Sequence, residues 1–156
     1  MYMAPTPPAP ADDPATTGSP CTCFQLRKLS RLLSQRYDAA LAPAGLNVNQ
    51  YSILRRADRA PHSVGSLAAE LGMDRSTLSR DLKHLVDAGW LRSVACEDAR
   101  RRRLVVTASG KRRIARAHPL WRTVQAEVEA LVGGHGALAN LHAQIDAATA
   151  RVVAPG

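Results

Sequence analysis

The chain is poor in aromatic residues, in cysteine and in long apolar runs. Phe, Trp and Tyr make up 4% of its 156 residues, which argues against a protein that stacks the bases of single-stranded nucleic acid on its rings. Three cysteines without a regular framework favour a reducing compartment. No apolar run is long enough to cross a bilayer, and the N-terminus does not read as a signal peptide. We therefore expect a cytoplasmic protein without a membrane partner.

Sequence motifs of the common enzyme classes are missing as well. The chain has no Gly-x-Ser-x-Gly, no phosphate-binding glycine loop and no His-Glu-x-x-His. Cys21 and Cys23 together with a histidine are a conceivable zinc site, but a Cys-x-Cys pair alone is weak evidence for one. We expect no enzymatic activity, no cofactor and no resident metal.

Acidic residues are outnumbered by basic ones. The chain has 21 Lys and Arg against 13 Asp and Glu, which leaves a formal net charge of +8. The excess is uneven, because residues 100–113 contain several arginines and lysines and no acid. A basic balance of this kind favours nucleic acid or another anionic surface as partner.

Two short helices joined by a tight turn are predicted between residues 63 and 87. Ser63 is placed to cap a helix over Val64–Leu71, and Gly72 supplies the left-handed residue that ends it. Asp74 is placed to cap the second helix. The apolar positions at helical spacing are Leu67, Ala68 and Leu71 on the first helix, and Leu78, Leu82, Leu85 and Val86 on the second.

The second helix leaves hydroxyls and long cations on its other faces. Such side chains at the start of a second helix suit hydrogen bonding to base edges and phosphates in a major groove. The candidate DNA-binding residues on it are Arg75, Ser76, Thr77, Ser79, Arg80, Lys83 and His84.

A hairpin with a basic tip follows. Gly89 ends the helix, and Leu91–Ala95 and Arg103–Val106 are predicted strands. Successive arginines from Arg100 to Arg103 repel one another unless a polyanion meets them. Each element alone has an ordinary alternative, since helix pairs are often core scaffolding and arginine runs are often solvated. In this order they predict a winged helix-turn-helix that binds duplex DNA.

The stretch resembles the MarR family of bacterial winged-helix regulators. The resemblance rests on the wing motif Asp98-Ala99-Arg100, on Thr107 at the strand exit and on Gly110 at the start of the next helix. It implies that Arg100 enters the minor groove and that Asp98 orients it, with Arg101 and Arg102 sharing the task. It also implies a homodimeric repressor released by a small molecule.

The expected architecture is mainly α, with a small β-hairpin wing. Residues 1–20 are predicted to be a disordered tail, 21–46 an N-terminal dimerisation helix, 47–107 the winged helix-turn-helix and 108–153 C-terminal dimerisation helices. Asn47 and Gln50 form a capping box at the start of the DNA-binding module. Glycines 133, 134 and 136 separate the last helix, expected over residues 137–153. A dimer with two recognition helices predicts a pseudo-palindromic operator.

The resemblance also implies an effector, commonly a phenol or an aromatic carboxylate, bound between the dimerisation helices and the DNA-binding module. An aromatic-walled cleft with one cation fits such a ligand. Arg27 is the preferred partner for the carboxylate. The candidate lining residues are Phe24, Arg27, Tyr37, Tyr51, His118 and Trp121, although each aromatic also has a plain packing role.

Two alternatives stay open. Cys23-Phe24-Gln25-Leu26 resembles the first helix of the OhrR subgroup, in which a cysteine reacts with organic hydroperoxide, and a thiol at a helix N-terminus is favoured as thiolate. Cys21 and Cys23 are thus redox candidates, although only Tyr37 matches the subgroup's three tyrosines. The other alternative is an architectural protein that binds any duplex alike, which specificity ratio and salt dependence distinguish.

Overall fold

The computed structural model describes residues 18–96 and 102–154. The chain divides into two units, Met1–Leu32 and Leu33–Gly156. The predicted tail, residues 1–20, lies almost wholly outside the described residues. In chain order the elements are α1 (Thr22–Leu41), a 3₁₀ turn (Ala42–Ala44), α2 (Val48–Arg59), α3 (Val64–Leu71), α4 (Arg75–Asp87), β1 (Leu91–Ala95), β2 (Arg102–Val106), α5 (Ala108–Leu131) and α6 (His135–Val153).

The first unit contains the beginning of α1. The backbone N–H of Gln25 donates to the carbonyl of Cys21, and the Gln25 side chain donates to the carbonyl of Ser19 at 2.9 Å, so the chain before the helix is tied to its first turn. The large apolar side chains of this part of α1 are between 38% and 52% exposed; they are Phe24, Leu26, Leu29 and Leu32.

The second unit begins within α1, at Leu33, and contains the end of that helix. Gly45 has φ 67°, the left-handed conformation that lets the chain turn after the 3₁₀ residues. The predicted capping box follows: Gln50 N–H donates to the Asn47 side chain at 2.8 Å, and Asn47 N–H donates to the Gln50 side chain at 3.1 Å. Helix α2 therefore starts where the sequence predicts.

The core of this unit is built around α2, which packs against α3, α4, α5 and β2. The predicted packing residues Tyr51, Ile53, Leu54 and Ala57 are all buried. The largest side chains with essentially no exposure come from successive elements and include Leu41, Ile53, Leu54, Leu67, Leu78, Leu85 and Leu91. Burying each of them contributes about 1.5–3 kcal/mol before entropy is counted.

The helix-turn-helix and the hairpin form as predicted. Ser63 and Asp74 cap α3 and α4 by accepting from the backbone N–H three residues on, and Gly72 ends α3 with φ 62°. Strands β1 and β2 pair antiparallel, with Leu91 opposite Val106 and Ala95 opposite Arg102. His62 adds a bridge to Leu104, so the hairpin is joined to the loop before α3.

Three expectations need correction. Val86 is 42% exposed rather than part of the buried face of α4. Leu78, Leu82 and Leu85 form that face, and Val86 lies beside it. Strand β2 begins at Arg102 rather than Arg103, since Arg102 still pairs with Ala95. Gly136 lies inside α6, which begins at His135 after the positive-φ pair Gly133 and Gly134.

Helix α5 begins at the Thr107 cap and runs through Pro119 without a break. Among the residues that the structure describes, no helix is long and apolar enough to cross a membrane.

Candidate nucleic-acid interface and effector pocket

Helix α4 is held in place by one apolar face. Leu78, Leu82 and Leu85 are buried and pack it against α2 and α3. The turn before it is closed by Met73 N–H, which donates to the Ala68 carbonyl at 2.9 Å. The opposite face of α4 points to solvent.

All seven predicted DNA-binding residues of α4 are exposed on this surface. The Ser76 hydroxyl donates to Asp74 Oδ1 at 2.5 Å, and the Thr77 hydroxyl donates to Asp74 Oδ2 at 2.7 Å. The Ser79 hydroxyl donates to the Arg75 carbonyl at 2.6 Å. The hydrogen bonds from Ser76 and then Thr77 hold the pKa of the Asp74 carboxyl well below its ordinary value.

The cations of α4 differ in how they are held. The Arg75 guanidinium lies over Gly65 of α3, where a Cβ would come within 2.7 Å of Nη2. Lys83 donates to Asp87 at 2.6 Å in a solvent-facing pair one turn along the helix. Arg80 and His84 are exposed on the same helix. The surface combines hydroxyls near its start with positive charge along its length, as a major-groove surface does.

Of the wing, the structure describes the two strands, β1 and β2. Arg102 donates from Nε to the Ser93 hydroxyl at 2.8 Å and from Nη2 to the Ser93 carbonyl at 3.1 Å. Arg102 therefore braces the hairpin across its two strands. Asp98, Arg100 and Arg101, expected at the minor groove, lie outside the described residues.

Three of the predicted effector residues meet on α2 and α5. The Tyr51 hydroxyl lies 2.9 Å from His118 Nδ1. The rings of His118 and Trp121 stack with centroids 6.0 Å apart, and the Tyr51 and Trp121 rings lie 6.2 Å apart. They line a cavity of about 200 Å³ together with Ser52, Arg55, Arg56 and Arg59. This volume is below the ~300–1,000 Å³ of drug-sized sites.

The arginines of this cavity were missed by sequence reasoning. Tyr51, Arg55 and Arg59 follow one another at four-residue spacing, which places them on one face of α2. This four-residue spacing is the feature of the sequence that could have placed the two arginines beside Tyr51. Burial raises the pKa of Tyr51, and the nearby charges of Arg55 and Arg59 act in the opposite direction.

Of the other three candidates, Tyr37 belongs to the second unit. The Tyr37 hydroxyl donates to Gln125 Oε1 at 2.5 Å, and burial raises its pKa. Phe24 and Arg27 belong to the first unit, where Phe24 is 48% exposed. Arg27 lines a surface hollow there with Leu26, Ser30 and Arg31.

Arg56 links the cavity to the DNA-binding module. Its Nε lies 3.1 Å from Glu70 Oε1 on α3, and the other Glu70 oxygen lies 3.5 Å from His62 Nε2. The His62 carbonyl in turn accepts from the backbone N–H of Leu104 in β2 at 2.8 Å. A continuous set of polar contacts therefore runs from a cavity-lining arginine to α3 and the wing.

The redox candidates lie at the beginning of α1. Cys21 and Cys23 are exposed and are not cross-linked, and Cys96 at the end of β1 is half-buried. The Cys21 carbonyl accepts the first helical hydrogen bond, and Cys23 lies in the first turn.

Helix α4, its supporting helix α3 and the antiparallel hairpin define the protein as a winged helix-turn-helix. The family model described as "MarR family" matches residues 44–102. The chain is also similar to the transcriptional regulator MosR of M. tuberculosis, solved in complex with DNA. Identity is 37%, the alignment covers 86% of this chain and 99% of that one, and the TM-score is 0.75. The chain belongs to the MarR family of DNA-binding transcriptional regulators and is not an enzyme.

More distant structures share the fold. A mutant of MarR from E. coli, complexed with operator DNA, is 19% identical over 85% of this chain and 93% of its own, with a TM-score of 0.72. CouR from Rhodococcus jostii RHA1, bound to p-coumaroyl-CoA, is 19% identical over 88% and 96%, with a TM-score of 0.70. Among curated proteins, no significant sequence match is found.

Proposed function

We propose that the protein is a homodimeric, cytoplasmic repressor that places α4 in the major groove of a specific operator. The observation that carries this proposal is the division of α4 into a buried apolar face and a solvent-facing side of hydroxyls and cations. Similarity to MosR, solved with DNA, supports it. The candidate contacts are Arg75, Ser76, Thr77, Ser79, Arg80, Lys83 and His84, with Asp98, Arg100, Arg101 and Arg102 at the wing.

Two copies of the chain would place two recognition helices on one face of the duplex. Helices α1 and α6 expose large apolar side chains, among them Phe24 at 48% and Val152 at 85%. Exposed apolar surface of this kind marks an interaction site. A dimer joined through these helices would read a pseudo-palindrome with half-sites about 34–36 Å apart.

The effector proposed is a small aromatic carboxylate bound in the cavity of α2 and α5. Tyr51, His118 and Trp121 supply ring faces, and Arg55 and Arg59 supply cations beside them. We assign the carboxylate to Arg55 and Arg59 in place of Arg27, because they line the same cavity as the aromatic rings. A planar guanidinium matches a carboxylate in a paired hydrogen-bond geometry.

Release from DNA would follow from unequal affinity of the effector for two arrangements of the dimer. Arg56 lines the effector cavity and also pairs with Glu70 of α3. An anion that draws Arg56 towards the cavity weakens that pair, and so acts on the helix that supports α4.

Oxidation of Cys23 is the second candidate signal. The exposure of the Cys21 and Cys23 thiols in and before the first turn of α1 favours it, since an accessible thiol is what a hydroperoxide requires. It predicts release that a thiol reductant reverses, which a carboxylate effector does not predict.

Fluorescence anisotropy tests these proposals together. The full chain is titrated onto its own upstream DNA and onto scrambled DNA of equal length, with aromatic carboxylates or cumene hydroperoxide added in turn. Selective binding released by a carboxylate, and lost in R55Q but kept in C23S, supports the effector cavity. Release by peroxide that C23S abolishes supports the thiol. Equal affinity for both duplexes contradicts the operator-specific regulator and favours an architectural protein.

Thr77→Ala and Arg80→Ala examine the placement of α4 directly. Each is expected to reduce discrimination by ~1–3 kcal/mol at particular base pairs. A uniform loss over all sequences contradicts base reading by α4.

A further inference from the structure

Three hydroxyl groups near the start of α4 donate their protons to acceptors within the protein. Ser76 and Thr77 donate to the two oxygens of Asp74, at 2.5 and 2.7 Å, and Ser79 donates to the Arg75 carbonyl at 2.6 Å. A hydroxyl has one proton and two lone pairs. Towards a partner in solvent, each of these hydroxyls can therefore only accept a hydrogen bond.

This arrangement limits what the hydroxyls can recognise. In general Ser and Thr bind either donors or acceptors on a base edge, because the proton rotates to suit. In the major groove, only the N4 amino group of cytosine and the N6 amino group of adenine are donors. Phosphate oxygens and the edge atoms of guanine are acceptors, so a hydroxyl that keeps its bond to Asp74 gains nothing from them.

We propose that Asp74 is a positioning residue for base recognition: by holding both hydroxyl protons it restricts Ser76 and Thr77 to accepting hydrogen bonds, and so selects cytosine or adenine at the bases they meet. This inference rests on the proposed placement of α4 in the major groove. Asp74 itself needs no contact with DNA.

Helix capping uses only one of the three hydrogen bonds that the Asp74 carboxylate accepts. The cap consists of one bond, from Thr77 N–H to Asp74 Oδ1 at 2.8 Å, and Ser or Asn caps as well as Asp. The carboxylate also brings a negative charge towards DNA phosphates, which lowers affinity for every duplex. Loss of general affinity in exchange for discrimination between bases is how specificity is commonly obtained.

The experiment compares wild type with Asp74→Ser on the half-site that wild-type protein recovers from random duplex DNA. Serine keeps the cap but cannot accept both hydroxyl protons. Each base pair is substituted in turn, and adenine is also replaced by purine, which lacks only the amino group. At the positions that Ser76→Ala or Thr77→Val relaxes, wild type should prefer adenine or cytosine by about 2- to 12-fold, the range of one net hydrogen bond. In Asp74→Ser this preference should fall towards one, while preferences elsewhere stay.

Asp87→Ser is the matched control. It removes a carboxylate from the same helix, but one that holds the ammonium of Lys83 rather than a hydroxyl. It should leave the preference ratios at the positions of Ser76 and Thr77 as in wild type. Circular dichroism and thermal unfolding of both variants establish that α4 keeps its fold.

Three results would overturn the proposal, and the third is distinguishable from the other two because it also removes the placement of α4. Wild-type ratios in Asp74→Ser, with Ser76→Ala and Thr77→Val still relaxing their positions, would remove the role of Asp74 and leave α4 in the groove. A preference for guanine or thymine edges at those positions would do the same. If neither hydroxyl deletion nor Arg80→Ala relaxes any position, the placement of α4 fails and the role of Asp74 fails with it.

Discussion

Replacing Gly110 with alanine should break the junction between the wing and α5. A Cβ at this position would overlap the Trp90 carbonyl oxygen and would lie 2.7 Å from Val106 Cγ1. The carbonyl is fixed, because it accepts the Thr107 N–H at 3.0 Å where the hairpin meets α5. The added methyl can be accommodated only if α5 moves away from the hairpin.

The expected cost follows from this geometry. Overpacking typically destabilises by about 1–3 kcal/mol, and a clash with fixed backbone belongs at the upper end of that range. For a chain of this size each kcal/mol lowers the Tm by about 2–4 °C, so Gly110→Ala should lower it by roughly 6–12 °C. Gly136→Ala is the control, since nothing lies within 4 Å of its Cβ inside α6, and it should gain about 0.4–1 kcal/mol.

The assay is urea and thermal unfolding at one fixed chain concentration, because association shifts apparent stability. DNA binding is measured in parallel, and Gly110→Ala should bind operator more weakly because the wing and α5 no longer keep their relative position. Equal stability of Gly110→Ala and wild type would refute the reasoning, as would a loss in Gly136→Ala as large as that in Gly110→Ala.

Three further changes test other parts of the molecule. Arg100→Ala should weaken binding to every operator variant and lower the salt slope by about one, as a backbone-docking cation does; an effect confined to one base pair in an anisotropy panel would contradict it. Leu78→Ala should cost about 2–5 kcal/mol in urea unfolding, whereas Val86→Ala should cost far less because Val86 is 42% exposed; similar losses would contradict the burial. The lowered pKa of Asp74 means that its ionised form stabilises the fold above the unfolded-state value of about 3.9, and that this contribution is lost as pH falls through the folded-state pKa. The difference in unfolding free energy between wild type and Asp74→Asn should be constant from about pH 7 to 5 and shrink below about pH 4; a change in the upper range would contradict it.

Local signals in the sequence were enough to predict the DNA-binding module. Ser63, Gly72 and Asp74 delimit their helices through bonds to the nearest backbone groups. The capping box of Asn47 and Gln50 is equally local. Boundaries of this kind depend on a few neighbouring residues, so they can be read along the chain.

Features that depend on packing could not be predicted in the same way. Helical spacing allows Val86 on the apolar face of α4. Only the assembled core shows that Leu78, Leu82 and Leu85 form the buried face without it. The cavity joins one face of α2 to one face of α5, 67 residues apart at Tyr51 and His118. The aromatic residues were identified from sequence, whereas the arginines beside them follow from knowing which faces meet.

The contact between Arg56 and Glu70 sets a bound on how the cavity can act on DNA binding. Both side chains are about a third exposed or more, at 35% and 45%, and an exposed ion pair is worth about 0–1 kcal/mol. An anion that competes for Arg56 can therefore change DNA affinity by at most about 5-fold through this pair. Any larger release would have to come from a change in the separation of the two recognition helices, which depends on the dimer rather than on one chain. The Arg56–Glu70 pair therefore adjusts the release from DNA, and the geometry of the dimer determines how large that release is.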